Sequence, residues 1–304
     1  MLYAKYAAKW DVQIVEMIFQ TRSNTITGKD TNHMSQSSFG NKFKVTTWGE
    51  SHGKALGAVI DGCPAGLPLC EEDIQKFLDR RKPGQSRYTT ARKEGDLVEI
   101  LSGVFEGKTT GTPISLMVRN TDQRSRDYGN IAYSYRPGHA DYTFDQKYGF
   151  RDYRGGGRSS GRETIGRVAA GAIASKILEE LGISICTYTR SIGPVEIASF
   201  NKEEIHQNAF YMPDAQAAVK AGEYLEECMK NQDSAGGVIE CRITGTPAGL
   251  GEPVFDKLSA LLAHALMSIG AVKAVEIGDG IAVTSSNGST DNDGFTVKDG
   301  EIIK

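Results

Sequence analysis

A histidine and a serine stand between two glycines in the segment Gly49-Glu50-Ser51-His52-Gly53. The preceding residues, 42–48, read as a strand, so the segment is predicted to form a turn at its end. A histidine in such a turn can donate a proton near neutral pH, and the adjacent Ser51 could relay one. His52 is therefore a candidate proton donor, and a purely structural loop histidine is the alternative interpretation.

The same segment formally fits the Gly-x-Ser-x-Gly nucleophile elbow of serine hydrolases, with Ser51 at its centre. The elbow requires a helix after the serine, whereas residues 54–60 read as a strand. No acid–histidine pairing is apparent from the sequence either. The context therefore argues against a serine hydrolase.

A second histidine, His139, lies in the segment Arg136-Pro-Gly-His-Ala-Asp141. Pro137 and Gly138 predict a tight turn there, and Asp141 could orient the imidazole ring. A structural histidine is again the alternative, but an arginine-rich stretch surrounds this one.

Eight arginines and a single lysine occur between residues 124 and 167. Arginine binds phosphate or carboxylate through two parallel hydrogen bonds, whereas lysine acts as a point charge. A second arginine group surrounds Pro83 and Gly84, and it comprises Arg80, Arg81, Arg87 and Arg92. These groups predict binding of an anionic ligand. A solvated basic surface neutralised by neighbouring aspartates is the alternative.

The segment Gly155-Gly-Gly-Arg-Ser-Ser-Gly-Arg162 leads into a predicted helix over 164–181. Glycines let the backbone approach a phosphate closely, and a helix N-terminus favours anions. Ser159 and Ser160 could cap the helix or donate to ligand oxygens. The Lys-Ser/Thr pair of the nucleotide-triphosphate loop is missing here, and an ordinary capped helix is the alternative.

The elements that must position these residues mix helices and strands without a regular βαβ rhythm. Strands are predicted over 42–48, 58–61, 97–105, 114–119, 183–192 and 238–244. Helices are predicted over 71–81, 164–181, 214–230 and 255–269, each from apolar residues at helical spacing. This order predicts a single α+β domain with a large sheet rather than a doubly wound nucleotide-binding fold.

Composition narrows the class of protein. The chain has 304 residues, 39% of them hydrophobic and 24% charged, and a net charge of -3, which argues against general nucleic-acid binding. No stretch approaches the length of a membrane span. The five cysteines are scattered without metal-ligand spacing, which predicts reduced thiols in a cytoplasmic protein and no metal site. Residues 1–33 do not show the pattern of strands and helices predicted for the rest of the chain. They are predicted to be a leader outside the fold.

Several motifs, in order, resemble the chorismate synthase family. They are Gly49–Pro64, Asp79–Thr90, Arg136–Tyr142 and Gly157–Thr164 with its continuation through Ala172. The resemblance runs from about residue 38 to the end of the chain. It implies a βαβ sandwich with helices packed between sheets, assembled as a homotetramer.

The resemblance also implies an activity. It is that of a lyase in the shikimate pathway, which eliminates phosphate from 5-enolpyruvylshikimate 3-phosphate in a trans-1,4-elimination that yields chorismate. Reduced FMN is required although there is no net redox change, and NADPH is a candidate reductant for the flavin. The small-molecule substrate, with a phosphate and two carboxylates, matches the arginine groups, and neither nucleic acid nor membrane is an expected partner.

Roles follow from the same resemblance, residue by residue. His52 would be the acid beside the leaving phosphate, Ser51 part of a proton relay, and His139 a neighbour of the flavin. The substrate-binding set would be Arg81, Arg87, Arg136 and Arg162. The FMN-binding set would be Arg158, Ser159, Ser160, Gly270 and Ala271.

The chain departs from the family pattern at both ends. We expect residues 1–33 to lie outside the family domain, which would occupy 34–304 and lack the family's C-terminal segment. The alternative function is therefore an inactive fragment that retains at most FMN or substrate binding.

Overall fold

The computed structural model describes residues 37–84, 88, 94–121 and 133–303. The α-helices in these residues are α1 (Glu71–Arg81), α2 (Asp141–Tyr148), α3 (Thr164–Glu180), α4 (Ala215–Lys230) and α5 (Leu258–Met267). Short 3-10 helices span Gly157–Ser159, Gly161–Glu163, Lys202–His206 and Gly280–Ser285.

The strands in the same residues are β1 (Ser38–Phe39), β2 (Lys44–Gly49), β3 (Ala55–Asp61), β4 (Val98–Ile100), β5 (Val104–Phe105), β6 (Lys108–Thr109), β7 (Ile114–Arg119), β8 (Ser184–Ile192), β9 (Val195–Glu196), β10 (Gly237–Thr244), β11 (Thr296–Lys298) and β12 (Glu301–Ile303). Five of them form an antiparallel sheet in the order β1-β2-β3-β7-β4. A second antiparallel sheet has the order β10-β8-β9.

Helix α3 lies at the centre of the fold. Its apolar positions Ile165, Val168 and Ile173 are fully buried, and the alanines between them are buried too. A helix that is apolar on most sides must be covered on most sides. The five-stranded sheet covers one side and α1 another, while Ile185 of β8 packs against the same core from the second sheet.

Close packing of α3 on the sheet depends on a glycine. A Cβ atom at Gly166 would lie 2.7 Å from the carbonyl oxygen of Gly57 in β3. A larger residue would therefore push the helix off the sheet and displace the residues that precede it.

Two smaller apolar clusters complete the core. Helix α4 packs on Ile192 and Phe210, and α5 packs on Phe39 and the outer part of β8 and β10. The fold is therefore α+β with helices packed between sheets, as predicted from the resemblance.

The predicted elements are present with small shifts at their ends, apart from one strand, and the short strands β1, β6, β9, β11 and β12 were not predicted. The predicted strand 97–105 is wrong as a single element, because Gly103 at φ +81° separates β4 from β5. Helix α2 was not predicted, since its sequence is mostly polar and has no helical apolar period; it ends at Gly149 in the left-handed conformation.

None of the helices formed by the described residues has the length and apolar character needed to cross a membrane. The predicted leader, 1–33, lies outside the described residues.

Candidate active site

The turn between β2 and β3 carries the candidate acid. Ser51 and His52 are only 2% and 7% exposed, and Ser51 Oγ lies 3.0 Å from His52 Nδ1. The turn is closed by a hydrogen bond from the Gly53 amide to the Glu50 carbonyl. A buried imidazole whose Nδ1 contacts a hydroxyl has a fixed orientation, which a general acid requires.

A glycine turn lies directly against this imidazole. Gly155 is buried at φ +64°, and a Cβ atom there would lie 2.3 Å from His52 Nδ1 and 2.9 Å from Ser51 Oγ. A side chain at position 155 would therefore displace the histidine. The arginine- and glycine-rich segment predicted to bind an anion thus lies against the candidate acid.

Arg136 supports that glycine turn. Its Nη2 donates to the Gly155 carbonyl at 2.7 Å, while Nε and Nη2 bind the Asp141 carboxylate at 2.8 Å each. These hydrogen bonds lower the pKa of Asp141 to about 2. Asp141 therefore orients Arg136 rather than His139, contrary to the sequence-based prediction.

His139 itself is exposed. Its Nδ1 lies 3.1 Å from the carbonyl oxygen of Pro137, and its backbone amide donates to the carbonyl of Arg136. The predicted turn at Pro137 and Gly138 is present, and it leads into α2.

Two other predicted substrate arginines meet in a buried ionic network. Arg81 Nη1 lies 2.6 Å from Asp96 Oδ2, and Arg162 Nη2 lies 3.1 Å from Asp96 Oδ1. Arg162 Nη2 also lies 2.6 Å from Glu94. Arg162 Nη1 is buried without a hydrogen-bond partner among the described residues, so it has a donor to offer a ligand. The remaining predicted arginine, Arg87, lies outside the described residues.

Asn120 joins this network to the histidine turn. Its Oδ1 accepts from Arg162 Nε at 3.1 Å and Nη2 at 2.9 Å. Its Nδ2 donates to the carbonyls of Glu50 at 3.0 Å and Gly53 at 2.8 Å. Sequence reasoning missed Asn120, Asp96 and Glu94, because nothing in a single sequence marks a lone polar residue as a neighbour of a distant arginine.

The predicted FMN residue Arg158 reaches back to β2. It donates to the Gly49 carbonyl at 3.0 Å and to Thr47 Oγ1 at 2.6 Å. Ser160 caps the 3-10 helix Gly161–Glu163 by accepting from the Arg162 amide at 3.3 Å. The predicted serine cap of α3 is wrong, because the N-cap residue of α3 is Glu163, which makes no side-chain capping bond. Ser159 is exposed and donates to the Gly156 carbonyl.

A cavity of about 1070 Å³ opens beside these residues. Its lining includes Arg158, Ser159, Ser160 and Gly270 from the predicted FMN set, while Ala271 follows Gly270 at φ +71°. An added Cβ at Gly157, Gly161 or Gly270 would meet no atom of the described residues within 4 Å, so the backbone is open to the cavity at these points.

A carboxylate also faces this cavity. Asp152 lines it, and hydrogen bonds from Arg154 lower the pKa of Asp152, with a smaller contribution from the charge of His52. As one of the aspartates near the arginines, Asp152 was predicted from the sequence to have only a neutralising role. The cavity wall therefore carries charges of both signs.

The fold and this site define an α+β protein with a buried histidine, buried arginines and a large cavity. A family model described as chorismate synthase matches residues 43–302, and a model of a family of unknown function (DUF6783) matches residues 1–32. The chain belongs to the chorismate synthase family.

Individual relatives agree with this assignment. A chorismate synthase of Agathobacter rectalis is 67% identical over 273 residues, which cover 89% of this chain and 74% of the relative. One of Lachnoclostridium phytofermentans is 65% identical over 274 residues, 89% of this chain and 75% of the relative. A crystal structure of chorismate synthase aligns with a TM-score of 0.71 at 34% identity, covering 86% of this chain and 75% of the other.

Proposed function

We propose that this chain is a lyase of the shikimate pathway that converts 5-enolpyruvylshikimate 3-phosphate into chorismate. The carbon–oxygen bond to the phosphate breaks, a ring proton leaves, and a second double bond forms in the ring without net redox change. Family membership over residues 43–302 is the observation that carries this conclusion. The alternative of a chain that only binds its ligands has no observation in its favour.

His52 is proposed as the acid that protonates the departing phosphate. Its burial, its contact with Ser51 and its position against the Gly155 turn support this role. Ser51 holds the ring through Nδ1 and is proposed as part of a proton relay. Burial strengthens the electrostatic interaction between the imidazole and a phosphate, because less water screens it.

The arginines are proposed to bind the substrate anions. Arg162 is the best supported, because it combines burial with the unpartnered Nη1 described above. Arg81 and Arg136 are held by Asp96 and Asp141, which fixes the guanidinium planes before the substrate arrives. Arg87 is proposed for the same set from the resemblance alone.

Reduced FMN is proposed to occupy the cavity. The fit rests on the size of the cavity, the cationic Arg158 in its wall, and the three glycine positions at which the backbone is open to a ligand. Ser159 and Ser160 add hydroxyl groups, and Gly270, which Ala271 follows, also lines the cavity. When bound, the reduced flavin supplies an electron transiently to the substrate and accepts its ring proton.

His139 is proposed to stabilise the anionic form of the reduced flavin. Its exposure leaves the imidazole able to reach a ligand at the surface near the cavity, since the following residue, Ala140, lines the cavity. NADPH is proposed as a reductant of the flavin.

The roles of the histidines are tested under anaerobic conditions with chemically reduced FMN. His52→Ala is expected to lower kcat for chorismate formation about 10²-fold or more, the usual loss with a general acid. His206→Ala is the matched control, because His206 is exposed in the 3-10 helix Lys202–His206. A kcat for His52→Ala near that of the control would refute the acid role, and the same comparison applies to His139→Ala.

Flavin binding is tested separately from turnover. Arg158→Ala is expected to weaken binding of reduced FMN about 10-fold or more in an anaerobic titration, as for the loss of a charged hydrogen bond. Arg190→Ala is the control, since Arg190 is half-exposed and pairs with Glu196 on the second sheet. Equal dissociation constants for the two variants would place the flavin elsewhere.

Assembly as a homotetramer in the cytoplasm is proposed from the resemblance. Light scattering during gel filtration should give a mass four times that of one chain, and cell fractionation should place the protein with cytoplasmic markers. A monomer mass or a membrane-bound fraction would contradict these two proposals.

A further inference from the structure

Asn120 follows β7 directly and is only 9% exposed. Its backbone amide donates to the carbonyl of Lys54 at 3.1 Å, which fixes its main chain beside the histidine turn. A buried carboxamide needs partners for both its oxygen and its nitrogen. The four contacts described above provide them, two on each side of the amide.

The two carbonyls that accept from Asn120 Nδ2 belong to Glu50 and Gly53. These residues flank Ser51 and His52, so the amide bridges the base of the turn that presents the imidazole. The amide orientation is determined, because only the oxygen can accept from Arg162 and only the nitrogen can donate to carbonyls.

The other side of the amide holds the guanidinium of Arg162 by two hydrogen bonds. Arg162 Nη2 therefore contacts the neutral amide of Asn120 as well as the carboxylates of Asp96 and Glu94. The side chain of Asn120 therefore sets the orientation of Arg162 relative to the histidine turn.

We propose that Asn120 is a positioning residue that fixes the proton donor His52 and the anion-binding Arg162 relative to each other. This inference rests on the proposed function for the identity of the two groups. A displacement of about 1 Å between a catalytic group and its substrate can cost 10²-fold in rate. An aspartate of the same shape at position 120 would bind Arg162 but would have no donor for the two carbonyls.

The chain offers a matched control for this substitution. Asn208 donates through Nδ2 to the carbonyls of Glu204 and Met212 at 2.8 Å each, and its Oδ1 accepts from the amides of Phe210 and Met212. Its carboxamide thus also bridges two carbonyls and two donors, but within the segment between the 3-10 helix 202–206 and α4. Asn208→Asp therefore removes two equivalent hydrogen-bond donations to carbonyls, at a position outside the candidate site.

Asn120→Asp is expected to lower kcat about 10- to 100-fold relative to Asn208→Asp, with KM for the substrate changed less than about threefold. Asn120→Ser, which removes the amide without adding a charge, should show the same loss of kcat and serves if the aspartate variant does not fold. Values of kcat equal to that of Asn208→Asp in both variants would overturn the proposal.

A readout independent of turnover separates this inference from the proposed function. With ¹⁵N-labelled histidine, the ring resonances of His52 should shift in Asn120→Asp and stay in place in Asn208→Asp. Unchanged His52 resonances in the position-120 variants overturn the positioning role, whether or not the unaltered chain forms chorismate. Shifted resonances without chorismate from the unaltered chain would refute the proposed function and retain the positioning role.

Discussion

Asp96 is the point at which two buried guanidinium groups meet. The Asp96 side chain is fully buried, and its two oxygens contact Arg81 and Arg162 separately. Asp96→Asn preserves the shape of the side chain but removes its charge. Both arginines then keep their positive charge while one nearby counter-charge is lost, so the native state must be destabilised.

The magnitude follows from burial. Breaking a buried ion pair by removing one partner costs about 3–5 kcal/mol, and the asparagine oxygen still accepts one hydrogen bond, so we expect about 3 kcal/mol. With an m value of about 3 kcal/mol per molar urea, the unfolding midpoint should fall by about 1 M. Glu99→Gln provides the control, because the pair of Glu99 with Arg119 is 46% and 66% exposed. That pair should contribute about 0.5 kcal/mol or less.

The assay is urea unfolding followed by far-ultraviolet circular dichroism at pH 7 for the two variants and the unaltered chain. The m values should agree among the three proteins, so that a shift in midpoint reports stability. Unfolding midpoints of Asp96→Asn and Glu99→Gln that differ by less than about 0.2 M would correspond to less than about 0.6 kcal/mol at this m value. That result would refute the predicted destabilisation by the loss of the Asp96 charge.

Two further perturbations use the same unfolding assay. Gly166→Ala should lower the free energy of unfolding by about 1–3 kcal/mol because its Cβ would overlap the carbonyl of Gly57. Gly222→Ala in α4 is the control, because a Cβ atom there would make only ordinary contacts from 3.4 Å. It should raise the free energy of unfolding by up to about 1 kcal/mol, since alanine favours the helix more than glycine does. A change of the same sign in both variants would contradict the close packing at Gly166. Arg136 holds the pKa of Asp141 at about 2. The ionised Asp141 therefore stabilises the folded chain fully above pH 4, and this contribution is lost as the pH falls through 2. The advantage over Asp141→Asn should therefore shrink from pH 4 to pH 2, and a constant gap would contradict the ion pair.

Local sequence patterns predicted much of the fold. Helix α3 was predictable because its apolar residues recur at helical spacing and Gly182 follows its end. The turn at Gly49–Gly53 was predictable because glycines bracket it after a predicted strand. Helix α2 has neither signal, and it was missed for that reason.

The contacts that assemble the site could not be predicted in the same way. Asp96 and Asn120 lie 66 and 42 residues from Arg162 along the chain, and the antiparallel order of β3, β7 and β4 brings them together. No periodicity in a single sequence encodes that juxtaposition. The motif arginines were therefore found, whereas the carboxylates and the amide that orient them required the structure.

The function assigned to this chain is the elimination of phosphate from 5-enolpyruvylshikimate 3-phosphate to form chorismate. The most direct test measures phosphate release and chorismate formation together, with the unaltered chain, the substrate and chemically reduced FMN under anaerobic conditions. We expect equal amounts of both products with reduced FMN, and neither product when FMN is left oxidised. Phosphate without chorismate, or no product from a chain that binds reduced FMN, would contradict this function.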